Sequence, residues 1–286
     1  MGQGAATVLT QIAAQGLQIP LEKVKYCQPD TSKAPDSGPT VASRTTMIVG
    51  KIVLRGTEKL IMQLKEYVSR HFDVSLEDIT YSRGTFFENG TPLADFFEIA
   101  RRIEEERGPL EVIGDYVHPP ELNWDDEKCQ GDAYQGYAWG ASVLEVEVDT
   151  DTWEVRPLRD TVVVDVGTAI NPLLALGQVE GGSLQGLGYG YLEVIEMEGG
   201  RYRNNRLANY AIPTSVDCPD FFVELMEIPC SRGAFGAKGL GEMPLSGGGP
   251  AVASAIEHAT GLFPTRLPVT GEILTSLEQE GDEKRS

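Results

Sequence analysis

The hydrophobic pattern of this chain changes period part-way along, and that change limits the architectures open to it. In the first part, apolar residues recur at helical spacing. Val8, Leu9, Ile12, Ala13, Leu17 and Ile19 mark one helix, ended by Pro20. Ile48, Ile52, Val53, Leu60, Ile61, Leu64 and Val68 predict a second, long helix from about Ala42 to His71. Further on the spacing switches to alternation. Ala141 to Val148 alternates, Asp149-Thr150-Asp151-Thr152 turns, and Trp153-Glu154-Val155 returns, which predicts a hairpin. Thr161 to Gly167 reads as a β-branched buried strand, and Asn171-Pro172 opens a helix through Leu176, Val179, Leu184 and Leu187. A chain carrying both periods is α+β, here with two mixed α/β lobes.

The lesser features fill in this outline. Val24 to Cys27 predicts a short strand, 28–40 is a loop dense in Pro, Asp, Ser and Gly, and Thr91-Pro92 resembles a helix cap opening Leu93 to Glu106. Residues 114–135, polar and broken by Pro119-Pro120, read as a connection. A second hairpin is expected near Gly199-Gly200, an alternating strand from Phe221 to Ile228, and a last helix from Pro250 to Thr260. The lobes are therefore drawn as 1–120 and 121–278, with a frayed tail over 279–286. No internal repeat of fixed period is visible.

Composition removes several classes of function. Acidic residues outnumber basic ones 43 to 24, a net charge of −19, so the overall field repels phosphate backbones and anionic membrane surfaces. It leaves room for one local cationic pocket. No stretch reaches the roughly 18 uncharged apolar residues of a membrane helix, and the N-terminus lacks the basic flank and apolar core of a signal peptide. Cys27, Cys129, Cys218 and Cys230 are far apart with no Cys-x-x-Cys, which argues against a zinc or iron–sulfur site held by this chain and for reduced thiols in the cytoplasm. Three scattered histidines make no nucleophile triad, and Asp125-Asp126-Glu127 reads as a solvated loop rather than a metal site. Gly186-Leu187-Gly188-Tyr189-Gly190 lacks the preceding strand that a dinucleotide-binding loop requires.

The informative stretch runs from Gly233 to Leu245. Gly236, Gly239 and Gly241 allow the backbone to come close to a bulky ligand, and they lead to Glu242, a lone carboxylate on a segment otherwise empty of acids. A carboxylate beside glycines, with a helix following, suits a general base, and a solvated Glu in a tight turn is the competing reading.

Gly236-Ala237-Lys238-Gly239-Leu240-Gly241-Glu242 resembles the signature of the xanthine dehydrogenase/aldehyde oxidase family of molybdenum hydroxylases, in which this Glu is the active-site base. Three further segments agree in family order. Met1-Gly2-Gln3-Gly4 is similar to the loop whose Gln contacts the pterin. Gly38 to Thr46, with Val41-Ala42-Ser43-Arg44-Thr45, is similar to the helix start that holds the pterin and its phosphate. Asp165-Val166-Gly167 through Asn171-Pro172 to Gly177-Gln178-Val179-Glu180-Gly181 is similar to the unit with a further pterin-contacting Gln. Met243 stands where the family often has Pro.

By this resemblance the chain is the C-terminal half of a molybdopterin-binding subunit, similar to the medium subunit of split bacterial nicotinate dehydrogenases, or else the product of a truncated gene. The resemblance implies hydroxylation of an N-heteroaromatic ring, nicotinate- or purine-like, with water as oxygen source and Glu242 as base. Met1, Gly2, Gln3, Ala42, Ser43, Arg44, Thr45, Gln178, Leu240 and Gly241 would contact the cofactor, and Val41 and Ala42 the substrate. Molybdenum would be held through the pterin dithiolene, with no protein ligand from this chain. A cytosine dinucleotide form of the pterin is expected, as are 2Fe-2S and FAD partner subunits and a chain carrying the first half of the pterin-binding subunit. An aldehyde- or carbon monoxide-oxidising member of the family, or a non-catalytic interaction subunit, are the alternatives. The amide side chains of Gln3 and Gln178 donate and accept at once, which suits a pterin edge, and a helix start rich in Ser and Thr suits a phosphate.

Overall fold

A computed structural model describes residues 2–283 of the chain. It falls into two compact units. One comprises the residues up to Tyr137 together with Pro229–Lys238; the other comprises Ala138–Ile228 and the residues from Gly239 onward. The chain therefore passes from unit to unit at 137/138, 228/229 and 238/239. Residues 121–137, expected from sequence in the second lobe, pack with the first unit: a Cβ on Gly136 would lie 3.3 Å from Met47 Cε.

In the first unit, α1 (Ala5–Leu17) buries Ile12, Ala14 and Leu17. It ends before Pro20, at Gln18, which is left-handed (φ 52°) and gives its N–H to the carbonyls of Ala14 and Gln15. The expected strand from Val24 to Cys27 does not form; among the described residues that segment joins no ladder, and Val24 N bonds the carbonyl of Leu21 at 3.0 Å. The helix expected from Ala42 starts later. Ala42 and Ser43 are both left-handed (φ 51° and 53°), Thr45–Val49 forms a turn of π-helix, and α2 (Gly50–Phe72) follows. Thr45, Thr46, Ile48 and Val49 are β-branched, which weakens regular helix at that point, and apolar spacing carries no signal of positive φ. Further along α2, Leu64, Tyr67 and Val68 make the inward stripe. The α1–α2 approach is close enough that a Cβ on Gly50 would sit 2.8 Å from Ile12 Cδ1.

An antiparallel meander packs on that stripe: β1 (Ile79–Ser82), β2 (Thr85–Glu88) and β3 (Thr91–Asp95). Its turns are two-residue, Arg83-Gly84 and Asn89-Gly90, with all four φ positive, the hairpin geometry that matches strand twist. Thr91-Pro92 is thus strand and not helix cap, with Pro92 tolerated on an edge strand beside a register shift at Phe86/Phe87. The helix α3 (Phe96–Arg107) begins later than expected, at Asp95, whose Oδ1 accepts from Glu98 N at 2.9 Å. Leu64, Val68, Ile79, Phe86 and Ile99 form the core here. The long connection carries a two-residue ladder, β4 (Trp124–Asp125) with β5 (Gln130–Gly131).

In the second unit β6 (Gly140–Val148) pairs antiparallel with β7 (Val155–Asp165), so the hairpin and the β-branched strand of the sequence are one ladder. The helix α4 (Pro172–Tyr191) starts as expected: Pro172 lies in its first turn and Asn171 Oδ1 accepts from Leu174 N at 3.0 Å. A small hairpin follows, β8 (Met197–Glu198) with β9 (Arg201–Tyr202), and β10 (Asp220–Met226) then adds parallel to β7, giving the order β10-β7-β6. Two helices, α5 (Met243–Ser246) and α6 (Gly248–Thr260), pack on α4.

Gly182, Gly186 and Gly190 line the contacting face of α4. A Cβ would come 3.0 Å from Pro244 Cβ at Gly182, overlap the carbonyl of Leu245 at Gly186, and come 2.8 Å from Val252 Cγ2 at Gly190. The glycine cluster of the sequence is therefore a helix-packing surface. A last helix, α7 (Gly271–Glu283), was not expected. Leu274 is wholly buried in a cluster with Trp153, Leu187, Ile256 and Val269, so the helix is anchored; residues 279–283 of the expected frayed tail are helical, and 284–286 lie outside the described residues.

Candidate cofactor site and the Glu242 loop

In the first unit, Gly2 and Gln3 are exposed just ahead of α1; Met1 lies outside the described residues. Val41 and Ala42 are exposed, and Ser43, Arg44 and Thr45 are half-buried. Two consecutive left-handed residues cost of order 1 kcal/mol each and persist where surrounding structure over-determines them. A π turn directly after them is likewise a feature concentrated at functional sites. Strain, hydroxyl side chains (Ser43, Thr45, Thr46) and the approach to a long helix fit a phosphate-bearing group at this turn. Arg44 is committed in part to the protein itself. Its Nη1 donates to the carbonyls of Ser37 (2.6 Å) and Pro39 (3.1 Å), which fastens the 37–39 loop to the turn.

In the second unit, Gln178 and Gly241 are brought together: Gln178 Nε2 donates to the carbonyl of Gly241 at 3.3 Å. Gln178 projects from the second turn of α4, half-buried. Leu240 packs with Met243 against Val162, Val164, Val166 and Val179, so the two residues flanking Gly241-Glu242 are anchored in the core. Glu242 is exposed, immediately ahead of α5, with Pro244 in the first turn of that helix.

The front of the same glycine-rich stretch belongs to the first unit. Cys230 N bonds the carbonyl of Gly236 at 2.9 Å, Phe235 is left-handed (φ 50°), and a Cβ on Gly233 would overlap the carbonyl of Ala237. Arg232, which the sequence reading passed over, holds this turn. It donates from Nη1 to the carbonyl of Gln135 (2.6 Å) and from Nη2 to Glu121 Oε1 (2.7 Å). The available signal was a lone arginine at the edge of a segment crowded with glycine. Among the described residues no group of three or more His, Cys, Asp or Glu is placed to hold a metal ion, and no helix is long and apolar enough to cross a membrane.

Residues 1–219 match the molybdopterin cofactor-binding domain family. The chain belongs to that family. Its matched span is about three quarters of the chain and ends before the Glu242 loop, whereas similarity to individual relatives runs on over nearly all of it. The chain is 31% identical to the 6-hydroxypseudooxynicotine dehydrogenase complex subunit gamma of Paenarthrobacter nicotinovorans, over 96% of this chain and 34% of that protein. It is 29% identical to a probable xanthine dehydrogenase subunit of Bacillus subtilis, over 98% of this chain and 37% of that one. Among solved structures, quinoline 2-oxidoreductase from Pseudomonas putida 86 superimposes with a TM-score of 0.78 at 27% identity, over 98% of this chain and 35% of that one. Aldehyde oxidoreductase from Desulfovibrio gigas gives 0.77 at 25%, over 97% and 28%. This molybdopterin-binding domain of the molybdenum hydroxylases therefore spans about a third of the length of the relatives it matches.

Proposed function

We propose that this chain supplies the cofactor-holding and base-bearing part of a molybdenum hydroxylase, an oxidoreductase assembled with partner subunits. The single observation that carries the reading is the Glu242 loop. A carboxylate stands exposed at a glycine-rich turn whose flanks are fixed by Leu240 in the core and by the Gln178–Gly241 hydrogen bond. Preorganised placement of one proton acceptor is what general-base catalysis requires.

In this reading Gln3, Ala42, Ser43, Arg44 and Thr45 contact the pterin and its phosphate, and Gln178, Leu240 and Gly241 are further cofactor contacts. Val41 and Ala42, small and exposed, border the substrate. The bound molybdopterin supplies two-electron redox chemistry, with water as the source of oxygen. Glu242 takes up on a carboxylate oxygen the proton released as the water-derived oxygen is activated for attack on an electron-poor ring carbon.

An N-heteroaromatic substrate is favoured because quinoline and xanthine, named in two of the similar proteins, are such rings. The names of two relatives, each a subunit of a dehydrogenase, support an assembly with separate partner chains. We assign the first half of the pterin-binding subunit, 2Fe-2S and FAD to those partners, the cytosine dinucleotide form to the cofactor, and the cytoplasm as the setting in which four dispersed, unbridged thiols persist.

The test is purification of the tagged chain from its own host with whatever accompanies it, metal analysis, and comparison of wild type with Glu242→Gln. Near-stoichiometric molybdenum in both, with turnover reduced by several orders of magnitude in the variant, is expected for loss of a general base in a loaded site. Full activity in Glu242→Gln removes the base assignment, and a metal-free chain without partners removes the hydroxylase reading.

A further inference from the structure

The first unit contains a cleft of about 250 Å³ that the cofactor reading does not use. One wall is a face of α2 and the turn before it, Ile48, Lys51 and Arg55, one turn apart; the other is the 116–121 segment with Gln135 and Arg232. Its charge runs against the molecule. In a chain of net charge −19, the cleft gathers three cations, Lys51, Arg55 and Arg232, against one acid, Glu121.

The local hydrogen bonds separate what is spent from what is available. Arg232 is committed: both Nη atoms hold protein acceptors, Gln135 and Glu121. Arg55 spends only Nη1, on the carbonyl of Asp115 at 3.1 Å. The carboxylate of Asp115 belongs to Lys59, outside the cleft. Lys51, half-buried, has no hydrogen-bond or ion-pair partner among the described residues. Tyr116 adds a donor. Gln135 Nε2 donates to its hydroxyl at 2.6 Å, which occupies an oxygen lone pair and leaves the phenolic proton for another acceptor. Ser231 lines the cleft as well.

We infer that this cleft binds a phosphoryl group, held by Lys51, Arg55 and Tyr116. Unspent ammonium, guanidinium and phenol donors converging on one cleft match a tetrahedral dianion, which accepts more hydrogen bonds than a carboxylate does. The volume exceeds that of a bare phosphate ion, so the group can arrive as a monoester. None of the residues proposed above to contact the pterin lines this cleft, so the site stands without that reading.

Phosphorus NMR titration of the purified protein, with its partner chains and at constant ionic strength, tests it, using inorganic phosphate and, separately, cytidine 5′-monophosphate. Saturable phosphate binding is expected, weakened roughly tenfold or more in Lys51→Glu and in Arg55→Gln. Lys51→Arg should retain it, Lys33→Glu, on a residue that does not line the cleft, should leave it unchanged, and circular dichroism should show α2 intact in each. Tighter binding of the nucleotide, in competition with phosphate, identifies an ester source; equal or weaker binding identifies the free oxyanion. Absence of saturation with both probes, or equal affinity in wild type and Lys51→Glu, overturns the assignment. Because neither readout needs molybdenum or turnover, failure here is distinguishable from failure of the hydroxylase reading.

Discussion

Leu240 in the core and the Gln178–Gly241 hydrogen bond fix the backbone on which Glu242 stands, so placement of the carboxylate is a property of its neighbours. A second carboxylate shows the reverse case. Asp160 is 1% exposed; its Oδ1 accepts from Ser142 Oγ at 2.6 Å while Oδ2 has no partner. Burial pushes its carboxyl above the usual value of 3.8, outweighing the Ser142 hydrogen bond, which acts the other way. A carboxyl whose folded pKa is raised contributes stability that is fully present below the unfolded value and is lost as pH rises through the folded one. Urea midpoints measured upward from pH 3 should therefore fall more steeply in wild type than in Asp160→Asn, with the two converging at the acid end. Parallel curves would refute the assignment. At Ala42 the strain is conformational: Ala42→Gly should leave stability unchanged or raise it by about 1 kcal/mol in the same measurement.

The elements most legible in the sequence were those whose signal is local and of one kind. Asn171-Pro172 announced α4 and supplied its cap, and the alternation around Asp149–Thr152 announced the β6–β7 hairpin. What escaped was decided elsewhere. Asn89-Gly90 is a hairpin turn, yet Thr91-Pro92 imitates a helix start, and only pairing of β3 with β2 resolves the two. The tail's helix depends on a pocket offered by Trp153 and Ile256, of which Trp153 is far away in sequence. Of the candidate site, the Gln178–Gly241 contact joins two motifs that the sequence had marked separately, whereas the left-handed pair at Ala42-Ser43 left no mark in the spacing of apolar residues. The glycine face of α4 yields a paired test. Gly186→Ala, whose Cβ would overlap the Leu245 carbonyl, should lower stability by about 2 kcal/mol or more by forcing α5 away. Gly177→Ala on the same helix meets nothing within 4 Å and should be neutral or stabilising by up to about 1 kcal/mol. Thermal unfolding of the two variants distinguishes a packing face from a run of helix-weakening residues.

On the scale of the whole molecule, several large apolar side chains stand at the surface. Trp139, Leu173, Leu207, Val216 and Phe222 are all well exposed. Scattered singly they would need no comment, but Val143 and Phe222 flank Thr161 on one row of the sheet, from opposite edge strands. Together with a length about a third that of its relatives, this surface predicts that the chain purified alone binds a hydrophobic dye strongly. The same chain within the proposed complex should bind far less. Equal dye binding in the two preparations would show that these side chains are not covered by partners.

The three passages of the chain between its units bear on how such a protein can be inherited. A break at 137/138 does not yield two self-sufficient modules. The downstream piece carries away residues 229–238, and with them Ala234, which is wholly buried and would lie 3.3 Å from a Cβ placed on Gly50. Recombination between homologous genes at that seam would graft one lineage's buried turn onto another lineage's helix, just upstream of Glu242 on the far side of the last passage. Exchange within this family should accordingly move both units as a block, and hybrid genes joined near residue 137 should express poorly unless 229–238 is taken from the same parent as α2.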